Sequence, residues 1–147
     1  MSLFQSFDIS SSGMTAQRFR TDIIAENVAN VTTTRTEDGT PYTRQVVTFA
    51  EKTETAYQNL ITMGKNNKAG YGVKVTSVTE DTDTDYVIEY DPTHPDADEN
   101  GYVTYPNVNI VTEMTNLIDA SRSYEANATA FESSKNLAQT GLGIGKS

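Results

Sequence analysis

A chain of 147 residues with 36% hydrophobic and 21% charged side chains is the size of one ordinary domain, and nothing in it approaches the ~18 consecutive apolar residues of a membrane span. Its 20 acidic and 11 basic residues give a net charge of −9 with no basic cluster, which excludes the cationic footprint of a nucleic-acid binder. Cysteine is absent, so disulfide frameworks, thiolate metal sites and thiol nucleophiles are excluded together.

The residues from Met1 to Phe7 carry no basic group ahead of an apolar run, so no secretory signal peptide is expected. From about Ser6 to Asn30 the pattern predicts a helix. Ile9, Ala16, Phe19 and Ile23 recur at spacings of 7, 3 and 4, and Met14, Ile24 and Val28 widen the same stripe. Asp8, Ser10, Ser11 and Ser12 are candidate N-caps, and Gly13 weakens the helix by about 1 kcal/mol relative to alanine. The β-branched run Val31 to Thr34 is expected to end it.

The middle, about Arg35 to Tyr105, reads as β-structure. The 22 threonines of the chain favour it, and strands are expected at 42–49, 72–79 and 85–90. Asp38-Gly39 is a turn signal, and Asn66-Asn67 through Gly70 reads as a loop. Only twelve Val, Ile, Leu, Met or Phe residues fall in this insert, too few for a robust free domain.

From about Val108 to Ala138 a second helix is expected. Ile110, Met114, Leu117, Ser121, Tyr124, Ala128, Phe131, Lys135 and Ala138 follow alternating spacings of 4 and 3, and seven of these nine are apolar or aromatic. Asn109 is the expected N-cap, with Glu113 in the first turn suiting the helix dipole. Gly141-Leu-Gly-Ile-Gly145 is expected to end the helix. The richest apolar stripes thus lie at opposite ends of the chain, and stripes too wide to bury on each other imply other subunits. A monomeric two-helix hairpin packed on its own sheet fits the same pattern.

Three motifs bear on chemistry. Asp96-Ala-Asp98-Glu-Asn100-Gly101 matches the first half of a calcium loop, but Asn107 stands where the bidentate glutamate belongs, and Pro92 and Pro95 replace the entering helix. An acidic turn is the better reading. Gly145-Lys146-Ser147 shares the ending of a phosphate-binding loop, without the strand before it or the helix after it. His94 is the only histidine, too few for a multi-histidine metal centre, and no nucleophile is paired with a base. No enzyme activity, metal or cofactor is expected.

Ser12-Gly-Met-Thr-Ala-Gln-Arg18 followed by Asp22-Ile-Ile-Ala-Glu-Asn27-Val-Ala-Asn30 resembles the N-terminal signature of flagellar axial proteins. Thr34 to Tyr42, Asp91 to Asp98, Gly101 to Asn109 and Ser121-Arg-Ser-Tyr-Glu-Ala-Asn127 narrow the resemblance to the bacterial flagellar basal-body rod proteins, those of the proximal rod. The stretch 52–68 carries no part of it.

The resemblance implies an α+β fold in which long N- and C-terminal helices pack together, coiled-coil-like, with a small β-rich insert between them. Residues 1–34 and 106–147 would form a discontinuous helical assembly domain, and 35–105 the insert. It implies a structural subunit that assembles helically with other rod proteins and copies of itself into the drive shaft between motor base and hook. It also implies passage through the flagellar type III export apparatus into the periplasm. The expected subunit-packing residues are Ile9, Ala16, Phe19, Ile23, Asn27, Val28, Asn30, Ile110, Met114, Leu117, Tyr124, Asn127 and Phe131. A soluble coiled-coil adaptor or export chaperone is the alternative.

Overall fold

Both terminal segments are helices, and each is longer than its capping chemistry suggests. The computed structural model describes residues 3–52 and 70–145. Helix α1 spans Leu3–Ala29, strands β1 and β2 span Gln45–Glu51 and Val73–Glu80, β3 and β4 span Val87–Tyr90 and Tyr102–Tyr105, and α2 spans Ile110–Ile144. The fold is α+β. Strands β1 and β2 form one two-stranded sheet and β3 and β4 another.

α1 begins at Leu3, before the expected caps. Of these, Ser12 turns its hydroxyl back into the helix, Oγ donating to the Ile9 carbonyl at 2.7 Å, as Thr15 Oγ1 does to that of Ser11 at 3.0 Å. Asn30 closes the other end, its amide nitrogen donating to the Glu26 carbonyl at 3.0 Å. α2 starts where expected. Asn109 Oδ1 accepts the N–H groups of Val111 (3.0 Å) and Thr112 (3.2 Å), two donors that the first turn leaves without helical acceptors. It then runs through Gly141 and Gly143 to Ile144, beyond the expected end. Glycine weakens a helix interior by about 1 kcal/mol but, unlike proline, removes no hydrogen bond.

Strands β1, β2 and β3 lie within three residues of expectation at each end, whereas β4 was not expected at all. Tyr102 to Tyr105 is four residues cut off by Pro106, too short for alternation to stand out. The Asp38-Gly39 turn is present, with Gly39 at φ +79° and its N–H on the Thr36 carbonyl at 3.0 Å. The expected loop at 66–70, except Gly70, and the stretch 53–68 lie outside the described residues.

The chain divides into two compact units, one of residues 1–19, 49–76 and 120–147, the other of 20–48 and 77–119. In the first, α1 and α2 run antiparallel. Phe7 meets Phe131 with ring centroids 4.9 Å apart, and a Cβ at Gly13 would stand 2.7 Å from Asn127 Oδ1. Ala16 and Ala120 are buried, small residues that let backbones approach. The start of β2 abuts α1 here: Ser12 Oγ accepts the Val73 N–H at 3.1 Å, and Gly72, at φ +109°, lies so close to Ser12 Oγ that no Cβ fits.

In the second unit Ile24, Tyr42, Val103, Pro106 and Val108 form a small core. Strands β3 and β4 pair antiparallel, Val87 opposite Tyr105 and Tyr90 opposite Tyr102. The pleat sends Val103 inward and Ile88, Tyr90 and Tyr102 to the other face.

Candidate assembly surface

Two features of the second unit stand out: a buried polar cluster joining α1, β1 and α2, and an apolar stripe of α2 that nothing in the unit covers.

The cluster begins at Asn27, carried on the inward face of α1 and almost wholly buried. Its Oδ1 accepts the Gln45 N–H at 2.8 Å and the Tyr42 hydroxyl at 2.9 Å. Its Nδ2 donates to the Gln45 carbonyl at 2.9 Å and to Glu113 Oε2 at 3.3 Å. The side-chain amide thus satisfies both backbone groups of Gln45, as a neighbouring strand would. Asn107 serves the residue before it in part, accepting the Arg44 N–H at 2.8 Å, and donates to the carbonyls of Asp81 (2.7 Å) and Thr84 (3.1 Å).

Between the two amides lies Arg44. Its Nε and one terminal nitrogen bind Glu113 Oε1 at 3.0 and 2.8 Å, and its other terminal nitrogen binds Asp81 at 3.1 Å. Burial opposes the guanidinium charge, but the Glu113 and Asp81 hydrogen bonds outweigh it and hold its pKa above the ordinary value. Loss of water would raise the Asp81 carboxyl. The Thr84 hydroxyl, Arg44 and two backbone amides reverse this and keep it below the usual range. Burial, then the charges of Glu26, Glu113 and Glu80, push the Tyr42 phenol up to about 12. Every polar group of the cluster has a partner of opposite sense. It is a clamp.

The second feature is on α2. Glu113, Asn116, Leu117 and Ala120 face the chain, whereas Val111 is 75% exposed, Met114 54% and Ile118 52%. These three lie at spacings of 3 and 4 on one face of the helix. In the first unit Leu137, Leu142 and Ile144 are also exposed.

Of the residues expected to pack, Ala16 and Asn27 are buried within the chain. Ile9, Ile23, Val28, Asn30, Leu117, Asn127 and Phe131 are half-buried, and Phe19, Ile110, Met114 and Tyr124 are exposed. Asn27 meets Glu113, and Phe131 meets Phe7. Asn30 and Asn127 instead bond within their own helices, to the Glu26 and Ser123 carbonyls. Arg44, Tyr42, Asp81, Asn107 and the buried role of Glu113 escaped the sequence. Glu113 looked like a first-turn charge, and nothing in its spacing announces a partner 69 residues away.

The acidic turn keeps its carboxylates occupied. Asp98 Oδ1 accepts the N–H groups of Asn100 and Tyr102 at 2.8 Å each, Gly101 supplies φ +81°, and Asp96 accepts the Thr34 hydroxyl at 2.8 Å. Among the described residues no group of three or more histidine or carboxylate side chains gathers in metal-binding geometry.

Two family models match the chain at its ends: one described as "Flagella basal body rod protein" over residues 7–35, the other as "Flagellar basal body rod FlgEFG protein C-terminal" over 99–144. Curated relatives match almost from end to end. The flagellar basal-body rod protein FlgC of Borreliella burgdorferi is 45% identical, covering 98% of each chain. That of Bacillus subtilis is 43% identical over 99% of this chain and 100% of its own. That of Salmonella typhimurium is 36% identical with the same coverage. The chain belongs to the FlgC family of flagellar basal-body rod proteins.

Proposed function

We infer that the chain is a structural subunit of the proximal rod of the bacterial flagellum, assembling with other rod components in the basal body. Similarity to FlgC proteins over nearly the whole chain, at 43% and 45% identity, supports the assignment. The observation that carries the mechanism is the outward stripe Val111, Met114 and Ile118 on a helix whose polar edge packs inward. Covering three such half-exposed side chains is worth roughly 3–6 kcal/mol, a useful share of the free energy of a subunit contact.

Segments 1–34 and 106–147 form the assembly domain on this reading, and 35–105 the insert. Neighbours are other rod proteins and further copies of this chain, reached after type III export to the periplasm. The helices complete their packing against neighbours, so ordering and assembly are coupled. The subunit transmits torque as a solid part and catalyses nothing.

The test is made in the source bacterium. Peptides of this chain should be abundant in purified basal bodies, and deleting its gene should abolish swimming until the gene is restored. Basal bodies that lack the chain, or a deletion strain that swims, would overturn the reading.

A further inference from the structure

The β3–β4 hairpin displays an aromatic face that none of the described residues covers. Ile88 is 65% exposed and Tyr90 66%, and Tyr102 on the neighbouring strand is also exposed. These side chains share one face because Ile88 and Tyr90 alternate with Val87 and Glu89, while Tyr90 stands opposite Tyr102. The two tyrosines are held in place despite their exposure. The two tyrosine rings meet edge to face with centroids 5.3 Å apart. The Tyr90 ring also lies over Gly101, where a Cβ would come within 3.0 Å of it. A side chain already fixed in one position loses little entropy when a partner covers it.

The charge around this face has one sign. Residues 80–99 hold nine of the chain's 20 carboxylates, and residues 75–121 contain no lysine or arginine. Among the described residues only Asp81 and Asp96 of this stretch have a cationic side chain in reach, Arg44 at 3.1 Å and Arg35 at 3.8 Å. Asp83, Asp85, Glu89 and Glu99 are exposed. Exposed tyrosines inside a charged rim have the composition of an interface centre. A second copy presenting the same face would bring like charges together, and an anionic lipid surface would be repelled.

We propose that the Ile88–Tyr90–Tyr102 face docks a different protein subunit whose apolar contact is ringed by lysine or arginine. This rests on the rod reading and names the chemistry of one of its neighbours. The hairpin contact is separate from the α2 stripe, so the subunit grips neighbours through two surfaces.

The experiment introduces a photoreactive benzoylphenylalanine at Ile88 of the full chain, in cells building basal bodies. After irradiation, basal bodies are purified and the cross-linked peptides sequenced. The expected product joins this chain to another protein at a site flanked by lysine or arginine. Its yield should fall by about tenfold when Asp83, Asp85 and Glu99 are all replaced by lysine, because those charges steer and orient the encounter. An adduct only to another copy, only to glycan or lipid, or none, overturns the proposal, as does a yield indifferent to the three substitutions. Chain present in basal bodies without the adduct sinks this proposal alone. Absence of the chain from basal bodies sinks the rod reading with it.

Discussion

Asn27 uses all four of its hydrogen-bonding positions, two lone pairs and two N–H donors, on Tyr42, Gln45 and Glu113. Its importance was legible only through family likeness, as a packing residue; that it serves a strand of its own chain was not. Glu113 completes the arrangement, and its removal should be costly. Glu113→Ala leaves Arg44 with Asp81 alone and strands an Asn27 donor, so urea unfolding should show a loss of about 3 kcal/mol.

Tyr42 adds a pH signature. Its folded pKa of about 12 lies above the ordinary phenol value, so its contribution is fully present below pH ~10 and is lost as pH rises to about 12. Melting temperatures followed across that window should fall for the parent chain, and Tyr42→Phe should flatten the decline. Asp81 acts at the other end. Its carboxyl is held low, so its contribution is present above the ordinary carboxylate value and disappears only as pH falls through the lowered one.

At the level of elements, both helices, three of the four strands and the Asn109 cap were readable from periodicity and capping chemistry. The face that α2 turns inward was legible only in part. The heptad reading selected Leu117 and Phe131, which are half-buried, together with Ile110, Met114 and Tyr124, which are exposed, and it missed Glu113, Asn116, Ala120 and Ser123 on the inward edge. Hydrophobic spacing finds the face that most needs cover, and in a subunit that face can belong to a neighbour rather than to the chain itself. The helix contact in the first unit depends instead on small residues. Gly13→Leu would drive a side chain into Asn127 and should destabilise the chain by about 2 kcal/mol in urea titration. Gly141→Leu, with nothing within 4 Å, should change stability by less than about 0.5 kcal/mol.

For the molecule as a whole, two kinds of surface have separate duties. A satisfied polar clamp fixes β1 and the helices in the second unit, while apolar residues on α2 and on the β3–β4 hairpin are left outward. Composition foretold the thin insert, and the −9 charge foretold an acidic surface, but neither said where the carboxylates gather. The central claim, that the outward stripe of α2 exists for neighbouring subunits, is tested most directly by the paired substitution Met114→Asp with Ile118→Asp. The measurement is the amount of variant chain recovered in purified basal bodies, set beside the urea midpoint of the isolated protein. The account predicts a midpoint within about 0.5 kcal/mol of the parent and basal bodies that exclude the variant. Normal incorporation of an equally stable variant would contradict it.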